Sequence, residues 1–277
     1  MSRILIVANE TLGGAKLVET VRARHAKGDA EFALVVPQNR PTHGQIIYDE
    51  AVRDAAQVRV DLAQQFLAAE GIELMGEVGD EDPFQATMDA IADFHPDEVI
   101  VSTHPITQSG WLRKDLVERI RQASGLPVEH VVVDLAQEGL PFTVTLVVAN
   151  RTAGGQELLQ KLKAKGAEPG EHLFIVVVPQ DGGQGHHAGE ARERLNTVLD
   201  NLRAEGLLVA GAIGDPDPYT TAMNALQRFR VTDVIISTLP AEKSGWLRAN
   251  LPERIAAAAR IPVDHVVVEL DDAEVKA

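Results

Sequence analysis

Short runs of Ile, Leu and Val alternate along the chain with longer segments whose apolar residues recur every three or four positions. In the first half the runs fall near 3–8, 32–36, 72–78, 98–102 and 129–135. They are almost wholly apolar rather than alternating, which predicts strands covered by helices on both faces. Between the second and third runs, Ile47, Ala51, Ala55, Val58, Leu62 and Phe66 place one apolar stripe on a helix that Gly71 closes. Strand and helix take turns throughout, so the pattern predicts an α/β protein with a parallel, doubly wound sheet and right-handed crossovers. In such sheets a ligand sits beyond the carboxyl ends of the strands, where the strand order reverses.

The pattern occurs twice. ILIVANETLGG at 4–14 matches TLVVANRTAGG at 145–155, VVPQ at 35–38 returns at 177–180, and GDEDPF at 79–84 returns as GDPDPY at 214–219. Val99 to Ile120 aligns without a gap to Val234 to Ile255, with 14 identities in 22 positions, and LPVEHVVVDL at 126–135 matches IPVDHVVVEL at 261–270. A duplication is the direct explanation. It predicts two tandem domains, 1–137 and 142–277, each a five-stranded parallel sheet, joined by a linker containing Gly139 and Pro141.

Composition narrows the function. The 277 residues include 26 Lys and Arg against 41 Asp and Glu, a net charge of −15, which repels nucleic acid and anionic membrane surfaces. There is no cysteine, so disulfides, thiolate nucleophiles and zinc–thiolate sites are excluded. The apolar run from Ile4 to Ala8 is too short for a signal-peptide core, and no stretch approaches the roughly 18 apolar residues of a membrane helix. A cytoplasmic protein is the default expectation.

Candidate chemistry gathers after the first and fourth strands of each copy. Asn9, Thr11, Gly13 and Gly14 return as Asn150, Thr152, Gly154 and Gly155. They suit a glycine-softened helix start whose N–H groups hold a phosphate or carboxylate, and equally a turn in which Thr11 or Asn9 caps those same groups. In the acidic GDEDP and GDPDP segments, Asp82 or Asp217 before proline reads as a helix N-cap. Gln85 is placed to reach back as in a capping box, and Asp80 and Asp215 are left as candidate functional carboxylates. After the fourth strand come Ser102, Thr103, Ser109, Gly110, Trp111 and Arg113, matched by Ser237, Thr238, Ser244, Gly245, Trp246 and Arg248. Ser109 is placed to cap a helix and Arg113 falls in its first turn, where a cation opposes the helix dipole and suggests pairing with an anion. A salt bridge to Asp115 or Glu118 is the alternative. The two tryptophans suit core packing or an aromatic wall for a flat ligand. His104 is Leu239 in the second copy and so serves no shared role, while His130 and His265 begin the last strand and read as interface residues. His186 and His187 have no ligand partner at a recognised metal spacing, and no nucleophile, base and orienting group assemble.

These residues together resemble the universal stress protein family in its tandem form. The resemblance covers nearly the whole chain and rests on the first strand ending in a polar turn, the long second helix, the Gly-rich end of the third strand and the VIVS or VIIS fourth strand. It implies strand order 3-2-1-4-5 and dimerisation through the last strand, so that VEHVVVDL and VDHVVVEL pair within the chain as a pseudo-dimer. Nucleotide-binding members carry an Asp at the end of the first strand and a Gly-x2-Gly-x9-Gly-Ser/Thr loop after the fourth. Here Asn9 and Asn150 occupy the Asp position, and Ser102-Thr103-His104-Pro105 and Ser237-Thr238-Leu239-Pro240 stand where the loop begins. Proline and larger side chains hinder the backbone approach to a triphosphate that glycine permits. The expected function is a non-enzymatic stress-response protein with an unknown small molecule or protein as partner. The alternative is binding or slow hydrolysis of an adenine nucleotide, with ATP or AMP as the cofactor. A nucleotidyl-transfer enzyme of related fold ranks last, since both a His-x-Gly-His motif and a Ser-Gly-Gly phosphate loop are missing.

Overall fold

The computed structural model describes residues 2–39, 49–105, 111, 115–180 and 187–269. The chain divides into two compact units, Met1–Pro141 and Phe142–Ala277. In the first, strands β1 (Ser2–Val7), β2 (Ala30–Pro37), β3 (Leu74–Gly79), β4 (Glu98–Thr103) and β5 (Val128–Val132) alternate with helices α1 (Ala15–His25), α2 (Asp49–Ala69), α3 (Pro83–Phe94) and α4 (Leu116–Ser124), followed by the short α5 (Leu135–Glu138). All strand pairs are parallel, in the order β3-β2-β1-β4-β5. The second unit repeats the scheme with β6 (Thr143–Val148), α6 (Gln156–Gly166), β7 (His172–Pro179), α7 (His187–Ala204), β8 (Leu208–Gly214), α8 (Pro218–Arg228), β9 (Asp233–Thr238), α9 (Gly245–Arg248), α10 (Leu251–Ala259) and β10 (Val263–Val267). Its order, β10-β9-β6-β7-β8, is the same arrangement. Two doubly wound five-stranded sheets are thus present, with the strand order that the resemblance implies.

The apolar runs explain why the sheets are covered twice. Side chains alternate between faces along a strand. In the first unit Leu5, Val7, Val35, Val99 and Val101 point to one face and pack with Ala86, Ala90 and Phe94 of α3 and Leu116 and Ile120 of α4. In the second unit Val147, Phe174, Val176 and Val209 pack with Leu158 and Leu162 of α6 and Leu195 and Leu199 of α7. Each such side chain, fully buried, contributes on the order of 1.5–3 kcal/mol. The stripe on α2 is buried at Ala55, Val58, Leu62 and Phe66, and Gly71 ends it with φ +78°; Ile47 lies outside the described residues.

Several boundaries differ from the sequence pattern. The last strand of the first unit ends at Val132, and Asp134 caps α5 by accepting from the Ala136 N–H, so part of the expected linker is helical. His130 therefore stands within β5 rather than at its start. Val133, just past the strand's end, is fully buried and its N–H still donates to the Thr103 carbonyl of β4 at 2.9 Å. Among the described residues, no helix is long and apolar enough to cross a membrane.

Candidate functional site

The strand order reverses between β1 and β4, which lie side by side while their connections run to opposite edges of the sheet. Residues leaving these two strands therefore meet. Asn9 follows β1, and its Nδ2 donates to the Pro37 carbonyl at 2.6 Å, tying the end of β1 to that of β2. The Thr11 hydroxyl donates to the Ser102 carbonyl at 3.2 Å and accepts from the Ser102 hydroxyl at 2.9 Å, tying the β1 turn to the end of β4. All three side chains are buried, Asn9 being 6% exposed, and Asn9 Oδ1 has no hydrogen-bond partner. Beyond β2, the Gln38 side chain donates to the Gly79 carbonyl at 3.1 Å and clamps the end of β3.

In the second unit Thr152 likewise donates to the Ser237 carbonyl, at 3.1 Å. The Ser237 hydroxyl, 1% exposed, does not return the bond and has no partner. Asn150 Oδ1 accepts from Arg194 Nη2 at 3.4 Å, so α7 reaches the end of β6. The Thr103 and Thr238 hydroxyls donate to the carbonyls of His104 and Leu239 and sit 2.9 and 2.8 Å from Nε2 of His130 and His265. With each hydroxyl proton committed to a carbonyl, the imidazole Nε2 is the donor to the threonine oxygen. Burial pushes the pKa of His130 below its ordinary value, and Lys16 and Arg121 act in the same sense. The two histidines read as interface residues are thus tied to the strand carrying the candidate serines.

The glycines at the helix starts divide by role. A Cβ on Gly14 would lie 2.2 Å from Val133 Cγ1, and one on Gly155 would lie 2.2 Å from Val268 Cγ1, so the second glycine of each pair lets the helix start approach the end of the last strand. Gly13 is half-buried, and nothing lies within 4 Å of a Cβ on Gly154. Neither Asn9 nor Thr11 caps α1: its N-cap is Gly14, without a side-chain bond. Gly79 and Gly214 play a similar packing part, against Ala86 and Thr221.

The acidic segments are local structure. Asp82 accepts from the Phe84 N–H and Asp217 from the Thr220 N–H, each before proline at the start of a helix. Asp80 and Asp215 accept from the N–H groups of Asp82 and Asp217, which uses the carboxylates that the capping account had left over. The capping-box expectation is corrected at Gln85, whose amide donates forward to Asp89 Oδ1 at 2.7 Å, one helical turn ahead.

Ser109, Gly110 and Arg113 lie outside the described residues, as does His186. Their second-unit counterparts are described. Ser244 caps α9 by accepting from the Leu247 N–H. The helix stops at Arg248, and Asn250, with φ +54°, separates it from α10. Arg248 closes the single turn of α9, and its Nη1 donates to the Glu242 carbonyl at 3.4 Å. Trp111 packs against the core cluster of the first unit, and Trp246 is half-buried.

Sequence reading missed a charged group at the mouth of the first site. Glu10 accepts from Asn39 Nδ2 at 3.0 Å and lies 3.4 Å from His104 Nε2. The His104 hydrogen bond holds its carboxyl below the ordinary range against the opposing effect of burial, with Arg59 and Asn39 acting the same way. Gly76 packs on Val60 of α2 as Gly211 packs on Leu195 of α7, a register that makes Arg59 and Arg194 equivalent. Among the described residues, no group of three His, Asp or Glu side chains gathers to hold a metal.

Fold and site together define a tandem doubly wound α/β protein with a polar cluster at the switch point of each sheet. No protein-family model matches the chain, and comparison with curated proteins finds no match. Among solved structures it is similar to a universal stress protein in complex with cAMP, at 12% identity over 48% of this chain and 98% of that one, with a TM-score of 0.36. It is also similar to a universal stress protein from Archaeoglobus fulgidus DSM 4304, at 16% identity over 97% of each chain with a TM-score of 0.34. A functionally unknown protein from Pseudomonas aeruginosa PAO1 aligns at 17% identity over 100% of this chain and 95% of the other, with a TM-score of 0.32.

Proposed function

We propose that this chain is a non-enzymatic, cytoplasmic stress-response protein of the universal stress type, whose units hold a small ligand or a partner without turning it over. The observation that carries this reading is the closure of the first unit's switch-point hydroxyls on each other and on the backbone. Thr11 and Ser102 are buried and bonded together, and Thr103 is bonded to a carbonyl and to an imidazole that acts as donor, so none of these three hydroxyls faces a base able to take its proton. Native mass spectrometry of freshly purified chain, followed by denaturation and identification of released molecules, tests it. A bound molecule recovered unchanged supports the reading. Nucleotide turnover abolished by Ser102→Ala or Ser237→Ala overturns it.

A second reading, binding of an adenine nucleotide, draws on Asn9 Oδ1 and the Ser237 hydroxyl, two buried polar atoms without partners at the ends of β1 and β9. A ligand carrying both donors and acceptors would satisfy them. In this reading Asn9, Thr11, Ser102, Ser109 and Arg113 surround the ligand in the first unit, with Asn150, Thr152, Ser237, Ser244 and Arg248 in the second. A rise in melting temperature with ATP, ADP or AMP at millimolar concentration is the expected result, and its absence excludes the reading.

A further inference from the structure

Each unit ties an imidazole of its last strand to the end of the strand beside it. His130 Nε2 lies 2.9 Å from Thr103 Oγ1, and His265 Nε2 lies 2.8 Å from Thr238 Oγ1. Both threonine protons go to the carbonyl of the next residue, so the imidazole proton sits on Nε2 and the Nδ1 lone pair is left bare. His130 is half-buried on the edge strand of its sheet. Its Nδ1 makes no hydrogen bond among the described residues and is not sealed from solvent. Burial lowers the pKa of the ring, with Lys16 and Arg121 acting the same way, so the imidazole is neutral at neutral pH. The surroundings differ between the units. Lys16, in the first turn of α1, is exposed and has no ion pair among the described residues, while Arg121 is held by Glu118 and the Val128 carbonyl. The aligned residues of the second unit are Glu157 and Ala256, so His265 has the same tether and neither cation.

We propose that His130 is a phosphoryl acceptor, whose Nδ1 takes a phosphoryl group from a small donor of the phosphoramidate or acyl phosphate class, and that His265 is not. The chain is the substrate of a single stoichiometric transfer, independent of any ligand at the switch point. The Nδ1 lone pair attacks phosphorus and forms the N–P bond, while the bond from phosphorus to the leaving group breaks and its electron pair goes to ammonia or to the carboxylate. No proton leaves the ring, because Nδ1 carries none and Nε2 keeps its own. The positive charge gained by the ring is stabilised by the Thr103 oxygen, which accepts from Nε2–H, and the charge of the added group is offset by Lys16. Thr103 is thus a positioning residue: it fixes which nitrogen is free to react.

The test is incubation of the full chain with phosphoramidate and, separately, with acetyl phosphate at neutral pH. Modified residues are mapped by tandem mass spectrometry without acid, and the isomer is assigned by phosphorus NMR. Transfer from either donor to His130 Nδ1 is expected, about tenfold faster than to His265 or to the exposed His25 and His95. Lys16→Glu slows His130 about tenfold and Glu157→Lys speeds His265, since each reverses a charge beside the incoming phosphoryl group. Both positions are exposed, circular dichroism melting verifies folding, and Lys16→Ala replaces a variant that does not fold. Thr103→Val frees the tautomer and adds the Nε2 isomer to the product, whereas Thr103→Ser restores Nδ1 alone; a purely structural bond leaves the isomer ratio unchanged. Equal rates at His130, His25 and His95, reaction at Nε2 in the wild type, or an unchanged rate in the Lys16 variant overturns the proposal. So does an unreactive His130, which favours the interface role read from the sequence.

Discussion

Gly14→Ala tests whether the glycines after the first strand serve packing. The added Cβ would lie 2.2 Å from Val133 Cγ1 and 3.1 Å from its Cγ2, whereas ordinary contact begins near 3.4 Å. Relief requires α1 or the end of β5 to move by more than an ångström, and Val133 is fully buried with a stiff, branched side chain. Overpacking of this kind costs about 1–3 kcal/mol, and the overlap places the variant at the upper end, about 3 kcal/mol. Val133→Ala removes two buried methyl groups and costs about 2 kcal/mol alone. The double variant removes the clash, so it is expected near Val133→Ala, giving a coupling of about −3 kcal/mol. Two units in one chain would blur a global melt. Urea unfolding is therefore followed by tryptophan fluorescence in a Trp246→Phe background, where Trp111, packed on the first unit's core, is the sole reporter. A Gly14→Ala change below about 0.5 kcal/mol, or additive costs in the double variant, refutes the packing account.

Other outcomes follow from the same contacts. Asp82→Ala removes the N-cap of α3 and lowers the stability of the first unit by about 1 kcal/mol, and Asp217→Ala does so in the second, both measured by urea unfolding. Because the folded-state pKa of Glu10 is lowered, its contribution is complete above the unfolded carboxylate pKa and is lost as pH falls through the folded value. The difference between wild type and Glu10→Gln is thus expected at pH 7 and absent in strongly acidic solution; a difference independent of pH contradicts the His104 and Arg59 contacts. His130 has a lowered folded pKa, so it destabilises the fold as pH drops below the unfolded histidine value toward the folded one. An NMR titration is expected to place its midpoint below that of a solvent-exposed histidine, and Thr103→Val is expected to shift the Nε2 resonance by removing its partner.

The duplication, the alternation of strand and helix, and the places where the polar segments leave the sheet were all legible along the chain, because they depend on neighbours in sequence. Proline after Asp82 and Asp217 announced two helix starts correctly. The same local logic failed at Gln85, where two partners lay within reach and the chain chose Asp89, one turn ahead. At Arg248 a left-handed Asn250 splits one apparent helix into two and leaves the cation on a helix of a single turn.

What the sequence determined by itself is the class of fold and its doubling: near-continuous apolar runs demand cover on both faces, and two aligned copies demand two sheets. Tertiary structure alone decided what the candidate residues touch. Asn9 and Pro37, Thr11 and Ser102, Gly14 and Val133, and Glu10 and His104 are separated by 28 to 119 positions, and each pair forms only because parallel crossovers bring strand ends together. Periodicity reports which face of an element is buried, whereas a hydrogen bond or a steric contact depends on ångström distances between elements, which only the packed fold defines.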